Sequence, residues 1–96
     1  MVDLDTNIVS YGERIMRLPG MEAVALSKLI EKFPAAVTDE QFALAFYGYS
    51  SDAPLNINRI VTVYMHHLRH KLKGVPFRVE NVWGVGYRLV RDKSNV

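Results

Sequence analysis

Residues 56–73 constrain the fold more than any other segment, because apolar side chains recur along only one side of the helix that they predict. The apolar positions are three and four residues apart, which is typical of a helix face packed on a core. They are Ile57, Ile60, Val61, Tyr64, Met65, Leu68 and Leu72. No Asp or Glu occurs between Pro54 and Arg78, although solvated helix faces usually mix the two signs of charge. A basic face without acids predicts a polyanionic partner, and we expect this helix to lie in a DNA groove.

The formal net charge of +2 is distributed unevenly along the chain. Residues 1–55 carry four basic and eight acidic side chains, a net charge of −4. Residues 56–96 carry eight basic and two acidic side chains, a net charge of +6. Uneven charge also arises by chance in small proteins, but a basic part beside an acidic part is typical of a phosphate-binding surface.

Length and composition exclude several classes of protein. The 96 residues suffice for a single domain, and the 49% hydrophobic content suffices for one core. The absence of cysteine excludes disulfides and thiolate metal sites. No apolar run approaches the roughly 20 residues that span a bilayer, and the acidic N-terminus does not resemble a secretion signal. We therefore expect a soluble, cytoplasmic protein.

The first half of the chain predicts a short hairpin and two helices. Residues 8–11 and 14–18 flank a turn and form the hairpin. A helix over residues 21–33 ends before Pro34. Its predicted buried side chains are Val24, Ala25, Leu26, Leu29, Ile30 and Phe33, and its predicted exposed ones are Glu22, Lys28, Glu31 and Lys32. A second helix over residues 38–47 begins with a capping box of Thr38 and Gln41 and ends at Gly48. It is expected to bury Phe42, Leu44, Ala45 and Phe46.

The second half predicts the long helix and a second hairpin. Asn56 or Asn58 is expected to cap the helix over residues 56–73, and Gly74 ends it. Residues 77–90 form a hairpin with a Gly-rich bend, and residues 91–96 are expected to be a flexible tail. Hairpin, three helices and hairpin is the order of an α+β winged helix-turn-helix occupying residues 1–96.

Two motifs resemble the DNA-binding output domain of bacterial OmpR/PhoB-type response regulators. Residues 59–72 read R-x-V-x-V-x-M-x-x-L-R-x-K-L, similar to the family's R-x-V-D-V-H-I-x-x-L-R-x-K-L. Residues 82–89 read V-W-G-V-G-Y-R-L, similar to its V-R-G-x-G-Y-R followed by a hydrophobic residue. Leu18 and Glu22 fall at its L-T-x-x-E positions. The resemblance covers about residues 18–90. It implies a transcription regulator whose third helix enters the major groove and whose hairpin, the wing, contacts the DNA backbone or minor groove.

The chain departs from this family at three motif positions. Thr62 replaces the helix aspartate, Tyr64 the helix histidine, and Trp83 the wing arginine. No receiver domain precedes the motifs, and no phosphorylatable aspartate with acidic neighbours is present. If Met1 is the true start, we expect a stand-alone output domain that phosphorelay within the same chain does not control.

The candidate DNA-contacting residues lie on the third helix and the wing. They are Arg59, Thr62, Val63, His66, His67, Arg69, His70, Lys73, Trp83 and Arg88. Arginine and lysine pair with phosphates, and histidine contacts bases or, when protonated, phosphates. Thr62 and Val63 suit a base edge or a thymine methyl group. Arg69 also has a structural interpretation, as a partner of carboxylates or carbonyls. Lys71 and Lys73 also suit the negative end of the helix dipole.

Other types of site receive less support. His66 and His70 have zinc-ligand spacing, but no Cys, Asp or Glu lies nearby in the sequence, and we predict no metal and no cofactor. Trp83 is either a core or interface aromatic residue, or a contact with the minor groove or a second protomer. Gly84 and Gly86 close a hairpin, which excludes a dinucleotide fingerprint. No catalytic constellation is present, and we expect no enzymatic activity.

The expected function is sequence-specific DNA binding by a transcription regulator. Because one small domain recognises few bases, we expect a homodimer or tandem copies on repeated half-sites. The loop 48–56 lies where the family contacts RNA polymerase. The alternative is a winged-helix protein-interaction module that binds another regulator or RNA polymerase with weak or no DNA binding.

Overall fold

Two small antiparallel sheets enclose three helices in the computed structural model, which describes residues 2–48 and 54–91. The elements are β1 (Val2–Asp3), β2 (Ile8–Tyr11), β3 (Arg14–Arg17), α1 (Gly20–Lys32), β4 (Val37–Thr38), α2 (Asp39–Tyr47), α3 (Ile57–Lys71), β5 (Phe77–Val82) and β6 (Gly86–Arg91). The α+β winged-helix prediction is confirmed, and the predicted helices and hairpins begin and end within two residues of these bounds. Among the described residues, no helix combines the length and hydropathy needed to cross a bilayer.

The N-terminal sheet has one more strand than the predicted hairpin. β1 pairs with β2, which places Val2 opposite Val9, and β2 pairs with β3. Val9 is buried in the core, whereas Ile15 on the other face is 70% exposed. The sheet therefore covers the core with one face only, as antiparallel sheets commonly do.

Helix α1 buries Ala25, Leu26 and Leu29 as predicted, but the margins of its buried face differ from the prediction. Glu22, predicted to be exposed, is 5% exposed, whereas Ile30 and Phe33, predicted to be buried, are 45% and 44% exposed. The face that packs inward contains Glu22, Leu26 and Leu29, at helical spacings of four and three. Ile30 lies at the margin of that face, and Phe33 follows the helix, where its ring contacts Phe77 edge-on.

Helix α2 begins with the predicted capping box. The Gln41 backbone N–H donates to Thr38 Oγ1 (3.1 Å), and the Thr38 N–H donates to Gln41 Oε1 (3.0 Å). Phe42 is completely buried, but Leu44, predicted to be buried, is 45% exposed. The helix packs through Phe42 and the partly buried Phe46, four residues apart, and Leu44 lies on another side. Gly48 ends the helix with φ 64°, as predicted.

The second sheet joins the wing, which is the hairpin of β5 and β6, to the start of α2. Its strand order is β4-β6-β5, and Val37 lies opposite Tyr87. Val79, Tyr87 and Leu89 point into the core. The tail prediction was wrong for Arg91, because this residue ends β6 and its guanidinium lies over the Phe77 ring. Residues 92–96 of that predicted tail lie outside the described residues.

Helix α3 buries most of its predicted apolar side. Val61, Met65, Leu68 and Leu72 are in the core, and Ile57 and Tyr64 pack against it in part. Asn56 occupies the N-cap, as predicted, but its side chain makes no cap hydrogen bond, and Asn58 Oδ1 accepts from the adjacent Arg59 N–H. The apolar side nevertheless fixes how α3 is rotated, and so fixes which polar residues face away from the core.

Candidate nucleic-acid interface

The side of α3 opposite the core carries four exposed residues at helical spacing. Arg59, Val63, His66 and His70 are separated by four, three and four residues, and all four are exposed. We call them the outward face. Lys73 follows the helix end on the same side and is also exposed. The buried pattern of α3 thus brings together half of the residues that the sequence predicted as DNA contacts.

The outward face is basic and unneutralised. Among the described residues, the Arg59 guanidinium and the Lys73 ammonium have neither an ion pair nor a hydrogen bond. The His66 and His70 rings contact each other edge-on, with centroids 5.0 Å apart. Cations without protein partners are free to pair with phosphates or base edges.

On the flank of α3 beside the wing, two of the predicted DNA-contacting residues form hydrogen bonds with other residues of the domain. Thr62 Oγ1 donates to the Asn58 carbonyl (2.9 Å) and lies 3.1 Å from Tyr87 Oη. Since the threonine proton is used toward Asn58, the tyrosine hydroxyl donates to Thr62. Arg69 Nε donates to the Val79 carbonyl at 3.4 Å, in line with its structural interpretation. Thr62 and Arg69 therefore help to hold the wing against α3.

The opposite flank of α3 meets α1 through a histidine and a buried carboxylate. His67 Nδ1 lies 3.2 Å from Glu22 Oε2, and the side chains are 48% and 7% exposed respectively. Glu22 Oε1 has no hydrogen-bond partner among the described residues. Periodicity placed Glu22 on the wrong side of α1, and its coincidence with the family's L-T-x-x-E position was the only signal in the sequence that singled it out.

The tip of the wing is apolar and exposed. Trp83 is 92% and Val85 50% exposed, in a turn where Gly84 has φ 77°. Trp83 is thus not a core residue, and the remaining interpretations are contact with DNA or with another protein chain. A turn of this shape displays the indole away from the body of the domain.

Arg88 lies on the outer face of the wing, apart from the outward face of α3. Its Nε donates to Glu80 Oε1 (2.8 Å), and Glu80 is its cross-strand partner. Arg78 approaches the other oxygen of Glu80 at 3.8 Å. The structure therefore places Arg88 beside a carboxylate that offsets its charge, at a position alternate to the core-facing Tyr87 and Leu89.

A polar depression between α3 and the wing contains two amides that sequence reasoning did not include in the site. Asn58 and Asn81 line it together with Thr62 and Asp39. Both asparagines are exposed. Asn58 was interpreted only as a helix cap, and Asn81 only as an alternating strand residue. No group of three or more metal-ligating side chains is close enough to hold a metal ion in the described parts of the chain.

Comparisons with known proteins match this geometry. The family model described as "Transcriptional regulatory protein, C terminal" matches residues 12–89. A search of curated proteins gave no match. The DNA-binding domain of Bacillus subtilis CssR is 26% identical with a TM-score of 0.71, and the alignment covers 94% of this chain and 98% of that one.

Two further solved structures extend the comparison. The DNA-binding domain of the response regulator AdeR, in complex with an intercistronic region, is 29% identical with a TM-score of 0.73, covering 95% of this chain and 93% of that one. A streptococcal redox sensor from a family evolved from two-component response regulators is 29% identical with a TM-score of 0.71. That alignment covers 94% of this chain but 38% of the sensor. The chain belongs to the OmpR/PhoB-type C-terminal DNA-binding domains of transcriptional regulatory proteins.

Proposed function

We propose that this protein is a sequence-specific DNA-binding transcription regulator in which α3 enters the major groove. The observation that carries the proposal is the outward face, where Arg59, Val63, His66 and His70 are exposed along one line of α3, a helix whose sequence contains no Asp or Glu. The major groove of B-DNA admits an α-helix and displays a distinct pattern of donors and acceptors for each base pair. The complex of AdeR with an intercistronic region supports DNA as the partner.

The contacts divide between base edges and backbone. Arg59, His66 and His70 supply polar contacts to base edges, and Val63 suits the methyl group of thymine. Lys73 and the flanking His67 pair with phosphates on either side of the groove. Arg69 and Thr62 act mainly by holding the wing. Trp83 and Arg88 place the wing on the backbone or minor groove, with the indole as an apolar contact where the family has an arginine.

Assembly and location are part of the same proposal. One outward face of four residues specifies only a few base pairs, so two copies on repeated half-sites are expected, as a homodimer or in tandem. RNA polymerase is a candidate partner of the loop 48–56, of which residues 49–53 lie outside the described residues. A cytoplasmic location is proposed together with the DNA partner.

Selection of duplexes from a random library with the purified protein tests the proposal. The expected result is an enriched motif with repeated half-sites, bound more tightly than a scrambled duplex in a gel shift. The double variant Arg59→Ala with His70→Ala should weaken binding of the selected duplex by about 30-fold or more, since each good base contact contributes about 1–3 kcal/mol and the variant removes two. The control Arg17→Ala removes an exposed arginine on β3 and should change affinity by less than about twofold.

A protein-interaction module is the second candidate, and the exposed Trp83 and Val85 at the wing tip favour it. In that case no motif would be enriched, the outward-face variant would bind duplexes as the native protein does, and Trp83→Ala would abolish capture of RNA polymerase or a partner regulator. These results together would replace the DNA-binding proposal.

A further inference from the structure

Glu22 and His67 form a contact between α1 and α3 in which the carboxylate is buried and the imidazole is half exposed. The Glu22 side chain is 7% exposed and reaches His67 Nδ1 through Oε2 at 3.2 Å. A buried carboxylate is costly unless it accepts hydrogen bonds. His67 supplies the only hydrogen bond of this carboxylate among the described residues, because Oε1 has none.

The carboxylate determines which imidazole nitrogen carries the proton. An ionised carboxylate only accepts hydrogen bonds, so the nitrogen that faces it, Nδ1, must be the donor. A neutral imidazole carries one N–H, and its other nitrogen is then an acceptor. While His67 is neutral, Nε2 on the half-exposed ring is therefore without a proton. Protonation of the ring converts Nε2 into a donor and leaves the contact with Glu22 intact.

The position of His67 on α3 makes phosphate its natural DNA partner. His67 lies on the α1 flank of the helix and not on the outward face, so it is placed toward one wall of a groove that α3 occupies. The walls are lined by phosphates, whose oxygens only accept hydrogen bonds. Neutral His67, fixed as the Nδ1–H form, has no donor for a phosphate, whereas the imidazolium form has one.

We propose that Glu22 is a positioning residue that holds His67 as the Nδ1–H tautomer, so that the contact of His67 with the DNA backbone requires uptake of one proton. This inference rests on the proposed function, because it assumes that α3 lies in the major groove. DNA affinity then has a component that is present at low pH and is lost as pH rises through the range in which histidine changes charge.

Other charged groups face the same place and must be separated from His67. The shallow depression beside His67 is lined by Glu22 and Pro19 at the start of α1, and by His66, His70 and Lys71 from α3. Histidine is the side-chain type that changes charge near neutral pH, so the effects of His66 and His70 must be separated from that of His67. The contribution of His67 is therefore measured as the difference in the pH dependence of DNA affinity between the native protein and a variant of the Glu22–His67 contact. The whole pH dependence of the native protein does not measure it.

Glu22→Gln is the diagnostic variant, because a glutamine amide is close in shape but also donates hydrogen bonds. Its N–H₂ can donate to Nδ1, which allows the proton of neutral His67 to lie on Nε2, facing the groove. Affinity for the selected duplex should fall between pH 6 and pH 8 in both proteins. The fold-loss should be about 5 to 10 times larger for the native protein than for Glu22→Gln. At pH 8 the variant should bind more tightly than the native protein. His67→Gln should reduce the pH dependence similarly, and the double variant should add nothing further.

The imidazole nitrogens of the free native protein give an independent readout. Long-range ¹H–¹⁵N correlation spectra should show neutral His67 as the Nδ1–H tautomer, and Glu22→Gln should shift it toward Nε2–H. Circular dichroism at each pH establishes that the variants remain folded, and the native spectrum tests the tautomer without any substitution.

The outcomes separate this inference from the proposed function. Parallel pH profiles of the native protein and Glu22→Gln on a duplex that both bind, or an Nε2–H tautomer in the native protein, would overturn the role of Glu22 and leave DNA recognition intact. Absence of duplex binding by the native protein at every pH would overturn both.

Discussion

At the scale of single residues, Trp83 is the side chain whose exposure is least expected from its chemistry. Large aromatic side chains usually contribute to cores or interfaces because they bury much apolar area, yet Trp83 is 92% exposed at the wing tip. Its neighbours in the turn are a glycine and the half-exposed Val85. Because the indole is exposed, its removal should not change the stability of the free domain. Its contribution should appear in the binding affinity instead.

We therefore expect Trp83→Ala to weaken binding of a selected duplex by about 3- to 10-fold, which corresponds to roughly 0.7–1.4 kcal/mol, without changing Tm. Trp83→Arg should recover the affinity, because a guanidinium suits the negative potential of a narrow minor groove. Gel shifts and thermal melts check both effects. Ile15→Ala is the matched control, since Ile15 is 70% exposed on the N-terminal sheet. Equal losses of affinity in the two alanine variants would contradict a specific role for Trp83.

The side-chain partners of individual residues were the part of the site that the sequence predicted least well. The spacing of apolar residues correctly indicated which residues of α3 face away from the core. It could not indicate that Glu22 on α1 meets His67, 45 positions later in the chain, or that Glu80 offsets the charge of Arg88. Such pairs depend on how elements pack, and a helical or strand repeat carries no information on contacts between elements.

At the scale of elements, regular helices and hairpins were predictable and the shortest strands were not. The capping box at Thr38, the proline after α1 and the glycines after α2 and α3 mark the ends of elements through local chemistry. β1 and β4 have two residues each and show no alternation. They are strands only because a partner strand lies beside them. β4 matters most, because it joins the start of α2 to the wing strand β6.

The junction of β4 and β6 depends on the missing side chain of Gly86. A Cβ atom at this position would collide with the carbonyl of Val37 on β4. Gly86→Ala should therefore force β4 and the wing apart and lower the free energy of unfolding by about 1–3 kcal/mol, as measured by urea denaturation. Gly20→Ala is the control, because a Cβ there meets nothing within 4 Å and the residue begins α1. A Gly86→Ala protein as stable as the control would show that the strands have room to move apart.

At the scale of the whole molecule, the basic second half of the sequence forms one surface, which consists of α3 and the wing. Basic residues follow α3 from Arg59 to Lys73 and continue on the wing, where the Glu80 carboxylate is already paired with Arg88. The acidic residues of the first half lie mostly on other elements, with Lys28 and Glu31 pairing on α1. A polyanion should accordingly meet the α3 side first, and release of counterions should contribute to its affinity.

Salt dependence tests whether the α3 side or the net charge of the domain determines binding. With about four phosphate contacts, the logarithm of the binding constant should fall with the logarithm of salt concentration with a slope of about −3 to −4. Removing two α3-side cations, by Arg59→Ala with Lys73→Ala, should make the slope shallower by about 1, because Lys73 is the phosphate contact of the pair. Lys28→Ala with Lys32→Ala removes the same charge from α1 and should leave the slope within about 0.5 of the native value. Fluorescence anisotropy of a labelled duplex between about 50 and 200 mM salt measures all three slopes. If both pairs of substitutions flattened the slope equally, binding would depend on the net charge of the domain alone. That result would contradict the assignment of the outward face as the DNA-binding surface.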